Sequence, residues 1–124
     1  MKFEEYINVM RDFKKLLIWQ KGMTIVNEVY EAAKFFPKEE TYGLRSQTIR
    51  SAVSIPTNIA EGSAKKSEKE YRHYAEIALG SAFELETHLL IIQQQSWFPE
   101  DKMESLLALT SEVQKMLTTF INKL

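Results

Sequence analysis

The stretch Gln47–Gly62 reads QTIRSAVSIPTNIAEG, and it decides how the rest of the chain can fold. Arg50 and Glu61 are its two charged residues, whereas 27% of the whole chain is charged. A helix that is apolar over most of its circumference has to be covered on more than one side. We therefore predict that this stretch forms the second helix of an all-α, antiparallel up-and-down four-helix bundle.

Pro56 lies in the middle of this helix, which is expected to run from about Tyr42 to Gly62. Proline removes a backbone donor and crowds the carbonyl four residues earlier, at a cost of about 3 kcal/mol in a regular helix. We predict a kinked but continuous helix. The alternative is a break, with Ser54 as the cap and Pro56 in the first turn of a new helix. Gly62 is expected to end the helix in the left-handed conformation.

The first helix is predicted from about Lys15 to Phe36, and it carries two apolar stripes. One stripe has the spacing of a bundle seam and contains Trp19, Met23, Val26, Tyr30 and Ala33. The second lies one residue away and contains Ile18, Gly22, Ile25, Val29, Ala32 and Phe36. Two adjacent stripes make a wider apolar surface than one bundle core needs, which favours a second packing partner.

Two further helices complete the predicted bundle. The third begins at Ser67, where Ser67 and Glu70 match a capping box, and ends near Gln95. Its predicted seam contains Tyr71, Ala75, Ala78, Ala82, Leu85, Leu89 and Ile92. The fourth runs from about Pro99 to the C-terminus. Residues 1–14 are interpreted as an N-terminal extension or arm, and residues 15–124 as the bundle domain.

The bulk composition favours a soluble protein. Hydrophobic residues make up 44% of the 124 residues, the formal net charge is −1 and there is no cysteine. The absence of cysteine excludes disulfides, thiolate catalysis and cysteine-based zinc sites. No apolar run reaches the roughly 18 residues of a membrane-spanning helix, and the N-terminus lacks a signal-peptide core. We expect a cytoplasmic protein with no membrane partner.

Charge is distributed unevenly along the predicted bundle. Residues 11–22, 61–72 and 112–124, expected at one end, carry net charges of +3, +1 and +1, whereas residues 28–50 and 84–104 carry 0 and −4. The cations of this basic end are Lys14, Lys15, Lys21, Lys65, Lys66, Lys69 and Arg72. We favour a solvated surface, and the alternative is a nucleic-acid-binding surface that contacts the RNA backbone.

A polar stripe runs along the predicted second helix. Its members are Gln47, Arg50, Ser54, Asn58 and Glu61. Buried amides and charges are costly without partners, and Ser81, Glu84 and Glu86 of the third helix could supply them. We favour a structural polar network between helices or subunits. The alternatives are a ligand or RNA site and a stripe that faces solvent.

Metal and acid–base chemistry have weak support in the sequence. Glu70 and His73 have the Glu-x-x-His spacing of di-metal bundles, but the motif has no second copy. Glu84 and His88 form an i, i+4 pair, which we interpret as a structural hydrogen bond because general acid–base work would need a pocket and a third group. No metal, cofactor or catalytic residue is expected.

The chain resembles a family of bacterial four-helix bundle proteins described as 23S rRNA-intervening sequence proteins, and the accessory variability proteins of diversity-generating retroelements share that fold. The motif SIPTNIAEG with the upstream Gln47 and Arg50 is its most specific part. The matching residues are Phe13, Leu17–Lys21, Phe36–Pro37, Glu40, Tyr42–Leu44, Gln47, Arg50, Ala52–Pro56, Asn58–Gly62, Ala78, Gly80–Ser81 and Glu84–Glu86. The resemblance covers about Phe13–Gln95, and the fourth helix matches in pattern alone.

The resemblance implies an antiparallel four-helix bundle that assembles with itself as a ring-shaped homopentamer. It does not imply an enzyme, and the molecular role of the family is not established. The retroelement relatives are basic and work with RNA and a reverse transcriptase, whereas this chain has a pI near 6.1. We therefore expect a non-enzymatic homo-oligomer, with an RNA-binding or reverse-transcriptase accessory module as the alternative and a metal-dependent enzyme as the least supported reading.

Overall fold

The computed structural model describes residue 2 and residues 11–124 of the chain, and it consists of helices and their connections. The four long helices are α1 (Leu17–Ala33), α2 (Leu44–Ser63), α3 (Glu68–Gln95) and α4 (Glu100–Asn122). Short 3-10 helices at Phe13–Lys15 and Lys38–Glu40 precede α1 and α2. The predicted all-α four-helix fold is confirmed. Most of the predicted arm lies outside the described residues, so the division at residue 14 stays a prediction.

Contacts between α2 and α3 show that these helices run in opposite directions. The Oγ atoms of Ser54 and Ser81 lie 2.7 Å apart near the middle of both helices. Gly62, near the end of α2, packs against Tyr74, near the start of α3. The residue numbers therefore rise along one helix while they fall along the other, as the short connection between the helices requires.

The two ends of the bundle differ in what they bring together. At one end, the connection after α1 meets the connection after α3, where the ring centroids of Phe35 and Phe98 lie 5.3 Å apart. At the other end, Arg11 donates to the Lys66 carbonyl at 3.4 Å in the α2–α3 connection, and Arg72 donates to the carbonyl of the C-terminal Leu124. The described N-terminal residues and the C-terminus thus share this second end.

The core is built from the predicted stripes, with one correction in α1. Every member of the α3 seam is at most 1% exposed, namely Tyr71, Ala75, Ala78, Ala82, Leu85, Leu89 and Ile92. In α1, the buried stripe is the one that contains Ile18, Ile25 and Val29. The neighbouring stripe, predicted as a seam, leaves Met23 39% and Tyr30 48% exposed. Its apolar surface is therefore available for contacts outside the bundle core.

Helix α2 continues through Pro56, as predicted, and the alternative of a break is excluded. The prediction for Gly62 was wrong, because no described glycine has a positive φ. Gly62 lies inside the last turn of α2, and a Cβ atom there would lie 2.8 Å from Tyr74 Cβ and 3.0 Å from Tyr71 Cδ1. The glycine therefore serves close helix packing. Among residues 11–124, Ser96 has the left-handed conformation, and it ends α3 with φ 58°.

The predicted helix boundaries of α1 need adjustment. Its first residue is Leu17, because Leu16 is extended. Its last residue is Ala33, three residues before the predicted end. The chain turns at this point so that Phe36 packs against Trp97, with ring centroids 5.8 Å apart. The predicted start of α3 is confirmed, since Ser67 Oγ accepts a hydrogen bond from the Glu70 amide at 3.1 Å.

No helix within the described part of the chain is both long and apolar enough to cross a membrane.

Candidate functional site

The middle of the predicted polar stripe forms a hydrogen-bonded network between α2 and α3. Ser54 Oγ and Ser81 Oγ share a hydrogen bond of 2.7 Å. Asn58 donates through Nδ2 to both the carbonyl and the Oγ of Ser54, at 2.8 Å each. Each of the three side chains is at least partly buried. The network therefore satisfies polar groups at a helix interface, which is a structural role.

The two ends of the stripe do not join this network. Gln47, Arg50 and Glu61 are exposed, and their side chains form neither a hydrogen bond nor an ion pair with the described residues. Gln47 and Glu61 lie near opposite ends of α2, and both are exposed. The network within one chain is therefore shorter than the predicted stripe, and a role of its ends between subunits stays a prediction.

Glu84 and His88 lie close together on α3 without forming the predicted hydrogen bond. Glu84 Oε1 and His88 Nε2 are 3.9 Å apart, which is beyond hydrogen-bonding distance. His88 is buried, and its Nδ1 has no hydrogen-bond partner among the described residues. Glu86, the third predicted partner of the α2 stripe, instead accepts from Gln114 of α4 at 3.2 Å.

The predicted basic end is assembled in part. Lys65, Lys66, Lys69 and Arg72 surround the α2–α3 connection, and the Arg11 contacts place the Phe13–Lys15 segment at the same end. Several of the cations already have partners. Lys21 pairs with Glu112, Lys15 lies 3.6 Å from Asp12, and Arg72 contacts the C-terminal residue.

The cations with the weakest internal contacts lie in and after the α2–α3 connection. Lys66 and Lys69 are exposed and have no ion pair within residues 11–124. The ammonium group of Lys65 lies 5.1 Å from the ring centroid of Tyr74, and that of Lys14 lies 5.9 Å from the ring of Phe13. These side chains form the part of the basic end that can meet an anion.

An apolar groove lies between α1 and α2. It has a volume of about 450 Å³. The residues that line this groove are Phe13, Trp19, Met23, Val26, Val53, Pro56, Thr57 and Ala60. Met23 and Val53 are 39% and 37% exposed. The groove combines the Trp19 stripe of α1 with the apolar side of α2, so part of the excess apolar surface predicted from the sequence is gathered there.

A second apolar surface lies on the outer face of α3, and we call it the ridge. Its residues are Ile77, Gly80, Phe83, Thr87, Leu90 and Ile91. Phe83 is 51% exposed and Leu90 is 44% exposed. The ridge was not predicted, although its signal is present in the sequence. Several large apolar residues of α3 fall outside the seam that runs from Tyr71 to Ile92.

Within the described part of the chain, no group of three or more histidine, aspartate or glutamate side chains is placed to hold a metal ion. His73 is exposed and its ring lies against Tyr74, with centroids 5.8 Å apart.

Comparisons with known proteins identify the fold and the family. The sequence model of the 23S rRNA-intervening sequence protein family matches residues 14–119. A crystal structure of a protein of unknown function, from the S23 ribosomal protein family of Bacteroides thetaiotaomicron, is similar with a TM-score of 0.78. That protein is 24% identical, and the match covers 85% of this chain and 98% of the other. At this identity the likeness shows the fold alone. No curated protein sequence matches the chain.

Proposed function

The chain belongs to the 23S rRNA-intervening sequence protein family, and on that premise we propose that it is a non-enzymatic protein that works as an assembly of its own copies. The observation that carries this proposal is the groove between α1 and α2. Apolar surface gathered in a concave site marks a contact with another molecule. The family resemblance implies a ring of five copies, and we adopt that number.

The chemistry of α2 and α3 supports the non-enzymatic part of the proposal. The hydroxyl groups of Ser54 and Ser81 are hydrogen-bonded to each other, and Asn58 donates a hydrogen bond to Ser54. Side chains that satisfy one another in this way hold two helices in register. They are not poised as a nucleophile and its base, which would require a titratable partner in hydrogen-bond contact.

Light scattering of the purified protein across a range of micromolar concentrations tests the assembly. We expect a mass close to five times that of one chain. The variant Val53→Glu places a charge in the groove and should shift the mass towards that of one chain. Tyr42→Glu is the control, since Tyr42 is 95% exposed and lies outside the groove. A single-chain mass for the unmodified protein would overturn the proposal.

A second candidate function is nucleic-acid binding at the basic end, and the exposure of Lys66 and Lys69 favours it. The resemblance also makes a reverse transcriptase a candidate partner at this end. In a gel-shift assay with single-stranded RNA, each tenfold rise in salt concentration should lower the logarithm of the binding constant by about 0.7 for each phosphate contacted. The double variant Lys66→Glu, Lys69→Glu should lose binding, whereas Lys38→Glu at the opposite end should not. No shift at low ionic strength would exclude this function.

A further inference from the structure

The ridge on α3 stays exposed although the inner face of the same helix is fully buried. Ile77 is 38%, Phe83 51%, Leu90 44% and Ile91 40% exposed. The ridge positions from Ile77 to Leu90 follow one another in steps of three or four residues, so they form a strip along one face of α3. An exposed apolar strip of this length points to an interaction with another molecule.

Gly80 lies within the ridge, and nothing inside the chain requires a glycine there. A Cβ atom at this position would meet no heavy atom within 4 Å, and its φ is not positive. Glycine weakens a helix interior relative to alanine, so its presence lowers the stability of the single chain. The other use of glycine is to let a second backbone approach closely. A glycine at this exposed position leaves room for the backbone of another chain.

The groove has the apolar lining that burial of the ridge requires. It is concave and apolar, and its lining comes from α1, α2 and the segment before α1. The ridge belongs to α3, so the two surfaces lie on different helices of one chain. One copy can therefore place its ridge in the groove of a second copy while its own groove receives the ridge of a third.

Charge favours the same pairing. Arg50 lies one helical turn before Val53 of the groove, is exposed and has no ion pair with any described residue. Glu76 and Glu84 are exposed beside the ridge, and the side chain of Glu84 is 58% exposed. A ridge seated in the groove would bring carboxylates towards this unpaired guanidinium group.

We propose that the ridge of one copy docks into the groove of the next copy, head to tail, with Gly80 at the closest approach between the two chains. This inference rests on the proposed self-assembly and names the two surfaces that form it. A contact between two different surfaces either closes into a ring or grows as a filament.

Cysteine cross-linking tests which surfaces meet, and it is clean because the chain contains no cysteine. Thr57→Cys marks the groove and Thr87→Cys marks the ridge, and both positions are exposed. With a bis-maleimide reagent, the double variant should give a ladder of covalently linked copies, whereas each single variant should stay uncross-linked. Efficient dimer formation by either single variant, or no ladder from the double variant, would overturn the pairing.

Substitution of Gly80 is an independent test, because it should change the stability of the separated chain and the strength of association in opposite directions. In Gly80→Ala, the thermal midpoint of the separated chain should rise, while association should weaken roughly tenfold or more, because an added methyl group overpacks a close contact. The matched control is Gly22→Ala, since Gly22 is buried inside its own chain. If both variants associate equally tightly, Gly80 does not lie in the contact.

Light scattering of the unmodified protein distinguishes failure of the self-assembly from failure of the groove-to-ridge pairing. If it scatters light as a single chain, both the assembly and the pairing are wrong. If it assembles but fails the cross-linking or the Gly80 test, the assembly stands and only the groove-to-ridge pairing is wrong.

Discussion

Gly62→Ala is expected to destabilise the fold, although alanine is the better residue for a helix. The added Cβ atom would lie 2.8 Å from Tyr74 Cβ and 3.0 Å from Tyr71 Cδ1. The first of these atoms is bonded directly to the backbone of α3, so no side-chain rotation can remove the contact. The second belongs to a ring that is 1% exposed and is packed against Phe120 with centroids 5.3 Å apart. These two close contacts can therefore be relieved only if α2 and α3 move apart.

The size of the effect follows from two opposing contributions. Alanine in place of glycine favours the helix by up to about 1 kcal/mol. Overpacking a close contact costs about 1–3 kcal/mol, and the rigid neighbours of Gly62 place it near the upper limit. We expect a net loss of about 2 kcal/mol, and a domain of this size loses roughly 4 °C in thermal midpoint per kcal/mol. The midpoint should therefore fall by about 8 °C.

Gly22→Ala provides the matched control for this experiment. A Cβ atom at Gly22 would lie 3.4 Å from Ile55 Cγ2 and 3.5 Å from Pro56 Cβ, which are ordinary van der Waals contacts. This variant should gain about 0.5–1 kcal/mol. Urea unfolding at one fixed protein concentration, followed by circular dichroism, measures both variants. If the two are equally stable, or if Gly62→Ala is the more stable, the packing argument is refuted.

Three further predictions concern polar groups around the same helices. Burial raises the pKa of the Tyr71 phenol to about 12, and the nearby Arg11 guanidinium opposes that rise. The Tyr71 phenol of the unfolded chain loses its proton near pH 10. The free energy of unfolding should therefore fall as the pH rises from about 10 to about 12. The urea midpoint of Tyr71→Phe should fall less over the same pH range. The single variants Ser54→Ala and Ser81→Ala and their double variant should reveal a coupling energy of about 1 kcal/mol, whereas strictly additive losses would contradict the shared hydrogen bond. Arg11→Gln should lower stability by about 1 kcal/mol, because it removes contacts with the Ser63 carbonyl at the end of α2 and with the Tyr71 ring. An unchanged urea midpoint would show that these contacts contribute nothing.

Apolar spacing was sufficient to predict the bundle and most of its core. The α3 seam from Tyr71 to Ile92 is buried throughout, because a helix in a bundle core must repeat its apolar residues with the period of the helix itself. The same spacing could not decide which of the two α1 stripes faces inwards. Ile18 and Trp19 begin stripes of equal regularity, and only the position of α2 and α4 around α1 selects the stripe of Ile18.

The predictions from sequence fail where one residue type fits two different structural environments. Gly62 satisfies both a left-handed helix end and a close helix contact, and the atoms that distinguish them belong to Tyr71 and Tyr74 of another helix. The polar stripe of α2 is regular in sequence. Only Ser54 forms a side-chain hydrogen bond with α3, through Ser81. Asn58 donates to Ser54 within α2, and the side chain of Gln47 is exposed. Sequence reveals the face of a helix more readily than the reach of each side chain on it.

The unequal charge of the two ends gives the chain a permanent dipole moment along the bundle. The basic end carries Lys66 and Lys69, and the opposite end carries Glu39, Glu100 and Asp101. Attraction between unlike ends of two copies fades with a screening length of about 10 Å at 0.1 M salt, whereas burial of apolar surface does not weaken in this way. Ionic strength therefore distinguishes two kinds of encounter. Dilute buffer favours stacking end to end, and physiological salt leaves the side-by-side packing of apolar faces as the contact that persists.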